Sequence, residues 1–149
     1  MTMSLKEYLN QFDRFAASTG ARVVEVEEGF AKAVMTVEER HLNGANVCQG
    51  GAIFTLADLA FAAAVNSHGL ATVGTTVNSH GLATVGTTNN VTYMRSARLG
   101  DLLTAVAKEE NHHKLPFCEV KVFNQDEALV CVMTGMAYRR STPLMPSGI

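Results

Sequence analysis

The chain has only three cysteines in 149 residues, Cys48, Cys118 and Cys131, an odd set with no CxxC spacing. That pattern gives no disulfide framework, and no basic-then-apolar leader opens the chain, so a reducing cytoplasm is the expected compartment. Long runs of like charge are also missing. The formal net charge of -2 is spread along the sequence, which leaves no footprint for nucleic acid or for an anionic membrane surface. The longest apolar run, Gly50 to Val65, is shorter than the roughly 20 residues that span a bilayer. It reads as a buried helix of a soluble protein, with no membrane partner.

Charge is scarcest in the middle of the chain. Asp58 is the only Asp, Glu, Lys or Arg between Arg40 and Arg95. A carboxylate inside an apolar helix costs several kcal/mol, roughly, unless it is paired or hydrogen-bonded. Stability alone would select against it, and catalysis is the leading explanation. The plainer one is a structural carboxylate bonded to a nearby group, with Thr55 one turn earlier as the candidate. With 47% hydrophobic residues, a chain of this length suits one globular domain.

Ser4 and Glu7 form a capping-box pattern, and Leu5, Tyr8, Leu9, Phe12, Phe15 and Ala16 recur at helical spacing up to Gly20. An N-terminal amphipathic helix is expected there. Alternation from Arg22 to Val37 around Glu28-Gly29 predicts two antiparallel strands. A loop over 39–49 then leads into the helix over 50–65, which is apolar on nearly every side. Such a helix must be covered all round. Strands expected over 83–94, 102–110, 117–123 and 128–138 supply the cover, giving an α+β fold: a long central helix wrapped by a curved antiparallel sheet.

Twelve residues, Val65 to Thr76, recur unchanged from Val77 to Thr88. One isolated tandem copy is no solenoid. Copy two runs directly into Asn89-Asn90-Val91-Thr92-Tyr93-Met94 and is expected to form the strand. Copy one is then extra chain, a loop or hairpin turning over Asn78 to Gly81, or else a segment exchanged between subunits.

Gly50 and Gly51 begin the apolar helix. Glycine there has an ordinary explanation in the turn, but bare N–H groups at the positive end of a helix also polarise a carbonyl oxygen. These residues resemble the hotdog-fold acyl-CoA thioesterases, most closely the phenylacetate-degradation (PaaI-like) branch, over roughly Leu5 to Tyr138. The family pattern of Asn, five residues, His-Gly-Gly, six residues, then Asp or Glu reads here as Asn43, Gln49-Gly50-Gly51 and Asp58. Val91 to Arg95 with Leu99-Gly100-Asp101 resembles the family's following strand and turn.

The resemblance implies hydrolysis of an acyl-CoA or aryl-acyl-CoA thioester, with Asp58 as general base or nucleophile. Gly50, beside Gly51, supplies the polarising N–H, and Asn43 orients substrate or water. No cofactor and no metal are implied. Gln49 replaces the family's His and cannot titrate, so Asp58 carries the acid–base work alone. The family's strand Ser or Thr aligns with Gly86, which makes the adjacent Thr87 a substrate-binding candidate. The resemblance also implies a homodimer or dimer of dimers with active sites at the subunit boundary. For coenzyme A phosphates, Arg95, Arg98, Lys114, Arg139 and Arg140 are the candidate partners; ordinary surface charge is the alternative for each.

Two further constellations carry less. Cys48 with His41 would be a thiol nucleophile, but no feature fixes their geometry. Adjacent His112 and His113 point to opposite faces when extended, which suits no metal site, and His68 and His80 read as turn residues. Other functions consistent with the sequence are a non-catalytic acyl-CoA-binding or scaffold protein and, last, a hydratase or dehydratase.

Overall fold

The computed structural model describes residues 3–68, 82–110 and 114–143. Ser4 starts α1 (Leu5–Phe12) with a complete capping box. Its hydroxyl accepts from the Glu7 N–H at 3.2 Å, and the Glu7 carboxylate accepts from the Ser4 N–H at 2.8 Å. The single helix expected to reach Gly20 is divided. Asp13 closes α1, and its carboxylate accepts from the Ala16 N–H at 3.0 Å to open α2 (Arg14–Ser18). A short side chain that captures a nearby backbone amide ends one helix and starts the next without disturbing the apolar period.

Strands β1 (Arg22–Glu27) and β2 (Phe30–Thr36) form the expected hairpin. A single 3₁₀ turn, Glu39–His41, and a bridge between Leu42 and Cys48 shape the loop before α3 (Gly50–Val65). Four more strands follow: β3 (Leu82–Tyr93), β4 (Leu102–Glu109), β5 (Phe117–Phe123) and β6 (Leu129–Pro143). All neighbours are antiparallel in the order β1-β2-β4-β5-β6-β3. α3 packs against every strand of this sheet. Ala57, Ala60, Ala63 and Ala64 on the helix, and Ala31, Ala33, Ala105 and Ala107 on β2 and β4 against which it packs, are all fully buried. Small side chains on both layers let helix and sheet approach closely, while Phe61, Met35 and Met133 fill the remaining volume.

Copy two of the repeat supplies the start of β3, as expected, and copy one supplies the end of α3 and Asn66 to His68. The turn expected over Asn78 to Gly81 lies outside the described residues, as do His80, His112 and His113. Asn66 joins helix and strand. Its Oδ1 accepts from the Thr84 N–H at 2.7 Å, and its Nδ2 donates to the Thr84 carbonyl at 3.1 Å. His68 is not a free turn residue. It lies between Glu28 and the buried carboxylate of Glu109, and Arg139 donates to the same carboxylate at 3.1 Å. Arg139 thereby belongs to a structural ion-pair cluster instead of a phosphate site.

Candidate active site

The N-terminus of α3 is built by its own flanking residues. Gln49 is the N-cap, its side-chain oxygen accepting from the Gly51 N–H at 2.5 Å, and Ala52 N–H donates to the Gln49 carbonyl at 2.9 Å. The remaining first-turn amide is that of Gly50, which has no acceptor among the described residues. Both glycines also have a packing reason. A Cβ at position 51 would lie 2.6 Å from Gln49 Oε1, and one at position 50 would lie 3.0 Å from the Tyr93 ring. Tyr93, at the end of β3, donates its hydroxyl to the Gly50 carbonyl at 2.8 Å.

Two clefts flank this helix end. One, of about 430 Å³, is lined by Val47, Cys48, Gly50, Tyr93 and Arg95 among others. The second, of about 450 Å³, is lined by Phe15, Arg40, Gln49, Gly51 and Thr55 among others. Asp58 continues the face of Gly51 and Thr55, one turn deeper. It lines neither cleft and has no hydrogen bond or ion pair among the described residues. The suggested bond from Thr55 is not made, because the Thr55 hydroxyl donates to the Gly51 carbonyl at 2.8 Å. Burial raises the Asp58 pKa above 3.8, and the nearby Asp13 carboxylate adds to the rise.

Gly50 and Asp58 are not brought together within one chain. Eight residues of helix separate them by about 12 Å along the axis, a quarter-turn apart in direction. Asn43 lies outside both clefts. Its Oδ1 accepts from the Ala45 N–H at 2.8 Å and the Val47 N–H at 3.3 Å, so it shapes the loop that ends at the first cleft. Thr87 sits at a bulge in β3, exposed, donating to the Met136 carbonyl at 3.2 Å. Arg95 lines the first cleft, whereas Arg98 stands on the exposed turn before β4, its N–H bonded to Asp101.

The thiol alternative fails on geometry. His41 is buried with Nδ1 accepting from the Glu38 N–H at 2.9 Å and Nε2 donating to the Thr19 carbonyl at 2.8 Å, so neither nitrogen serves Cys48. Burial, with Asp101 adding to it, pushes the Cys48 thiol up to about 11. Sequence reasoning missed three contacts: Tyr93 on Gly50, Asp13 beside Asp58, and Gln49 as a cap. Only the last had a local signal, its position just before the helix.

A central helix in a curved antiparallel sheet, with a glycine pair at its start and a lone carboxylate two turns on, defines a class. A family model described as the thioesterase superfamily matches residues 45–131. The chain belongs to that superfamily, in the PaaI-like branch of its hotdog fold, and is a hydrolase acting on thioesters. It is 38% identical over 148 residues to a putative esterase of Archaeoglobus fulgidus, covering 99% of this chain and 88% of the relative. It is 34% identical over 128 residues to the acyl-coenzyme A thioesterase PaaI of Escherichia coli, covering 85% and 83%. The solved structure of E. coli PaaI superposes with a TM-score of 0.80 at 31% identity, covering 91% and 90% of the two chains.

Proposed function

We propose that this chain hydrolyses an acyl-CoA or aryl-acyl-CoA thioester to the free acid and coenzyme A. The observation that carries the reading is Asp58, a carboxylate with no hydrogen bond or ion pair among the described residues, raised in pKa and set on the helix whose first N–H, at Gly50, is open. Water adds to the thioester carbonyl carbon as Asp58 takes its proton, or Asp58 itself adds and water then releases the acyl group. In either route the carbonyl oxygen gains negative charge while accepting from the Gly50 N–H, the C–S bond breaks, and the departing thiolate is protonated.

The separation of about 12 Å along the helix axis favours a site shared between subunits, in which Gly50 of one protomer and Asp58 of another meet on one carbonyl. β3 has a partner on one side only among the described residues, a twelve-residue edge that pairing with a second copy would cover. A homodimer, or a dimer of dimers, therefore belongs to the proposal. Within it, Arg95 and Arg98 meet coenzyme A phosphates, Thr87 faces the neighbouring site, and Asn43, Gln49 and Gly51 maintain the loop and helix end around the carbonyl. Three free, buried thiols suit a reducing, cytoplasmic setting.

The test is turnover of phenylacetyl-CoA, hydroxybenzoyl-CoA and short to medium acyl-CoAs by the parent chain and by Asp58→Asn. Loss of a general base or nucleophile is expected to lower kcat by at least about 10²-fold. Retained turnover in the variant would remove Asp58 from the mechanism.

A further inference from the structure

A peptide between two glycines has the widest backbone freedom available to the chain. The peptide joining Gly50 to Gly51 is nevertheless fixed at both ends. Its N–H donates to Gln49 Oε1 at 2.5 Å, and its carbonyl accepts from the Tyr93 hydroxyl at 2.8 Å. One clamp comes from the loop before α3 and the other from the far end of β3. The Tyr93 ring also lies so close over Gly50 that a Cβ there would be 3.0 Å from the ring and from its hydroxyl oxygen. A side chain at position 50 would displace the ring that makes this hydrogen bond by a few tenths of an ångström.

We infer that Tyr93 is a positioning residue for thioester hydrolysis: its hydroxyl, by holding the Gly50 carbonyl, fixes the direction of the neighbouring Gly50 N–H. The inference rests on the reading of that N–H as the carbonyl-polarising donor and adds the group that aims it. A donor stabilises developing charge only if it is already aligned with it. Misplacement of about 1 Å near reacting groups can cost about a hundredfold in rate. Tyr93 does not touch the reacting carbonyl, since its hydroxyl is committed to the protein backbone. Burial, then Cys131 and Cys48, raises its pKa, which keeps it a donor.

Tyr93→Phe keeps the ring and removes the donor. Its kcat is expected to fall about tenfold, with KM changed less than about twofold, and with the circular dichroism and unfolding temperature of the parent retained. A tyrosine that only supports the fold would instead lower the unfolding temperature and leave kcat alone, which would overturn the assignment.

The second readout is the infrared C=O stretch of a carbonyl-¹³C thioester bound to Asp58→Asn, using whichever of phenylacetyl-CoA and octanoyl-CoA the parent turns over faster. A stretch moved to lower wavenumber in Asp58→Asn, and moved back in Asp58→Asn/Tyr93→Phe, is the expected result. The same lowered stretch in both proteins would dismiss Tyr93 while leaving Gly50 as the donor. An unshifted stretch in Asp58→Asn itself would dismiss the Gly50 donor, and the role of Tyr93 with it.

Discussion

Asp58 is a residue whose chemistry and stability pull in opposite directions. Its pKa in the folded chain is raised above 3.8 by burial first and Asp13 second. The folded state therefore binds its proton more tightly than the unfolded state does. The stability this group contributes is fully present below 3.8 and is lost as pH rises through the raised value. At neutral pH the ionised carboxylate is destabilising, a cost consistent with a retained functional group. Asp58→Asn is expected to unfold at a higher temperature than the parent at neutral pH, and the difference should shrink as the solution is acidified toward the ordinary carboxylate range. Thermal unfolding across that pH span measures it. A variant less stable at neutral pH would show that Asp58 has a stabilising partner.

Elements place the second carboxylate. Asp13 is at once the N-cap of α2 and a charge beside Asp58. Asparagine caps helices about as well as aspartate, so Asp13→Asn should keep α2 and remove the like charge. The acid limb of the kcat/KM profile should then move to lower pH, because a neighbouring negative charge no longer disfavours ionisation of Asp58; an unmoved limb would mean that Asp58 does not control it. Asp13 also marks where the sequence was hard to read. The apolar period runs unbroken across it and predicts one helix, whereas the captured Ala16 amide divides the segment. α3 is legible in the sequence because a long apolar stretch opened by a glycine pair stands out locally, whereas its closing residue, Asn66, is given by the structure. β6 runs past its expected end at Tyr138 to Pro143, paired there with the start of β3, a long-range partnership that local alternation does not record. The same limit hid Tyr93. Its contact joins two elements 43 residues apart, whereas Asp58 and Gly50 stood out locally, by the scarcity of charge and by the glycine pair.

At the scale of the whole molecule, the repeat is expected to be dispensable. Asn66 and Thr84 are hydrogen-bonded side by side although residues 67–83 lie between them in sequence. Because the copies are identical, deleting Val65 to Thr76 leaves the same chain as deleting Val77 to Thr88, and restores an Asn and a Thr six positions apart. Shortening that loop roughly threefold favours the folded chain by about 1 kcal/mol from closure entropy alone. The deletion chain should match the parent in turnover within about threefold and unfold at a higher temperature; a collapse in turnover would mean that the added chain is part of the site or of the subunit boundary. The most direct measurement is steady-state release of coenzyme A from phenylacetyl-CoA and medium-chain acyl-CoAs by the parent beside Asp58→Asn. Turnover by the parent and its near-abolition in a folded Asp58→Asn is the predicted result, and equal turnover by the two proteins would contradict the account.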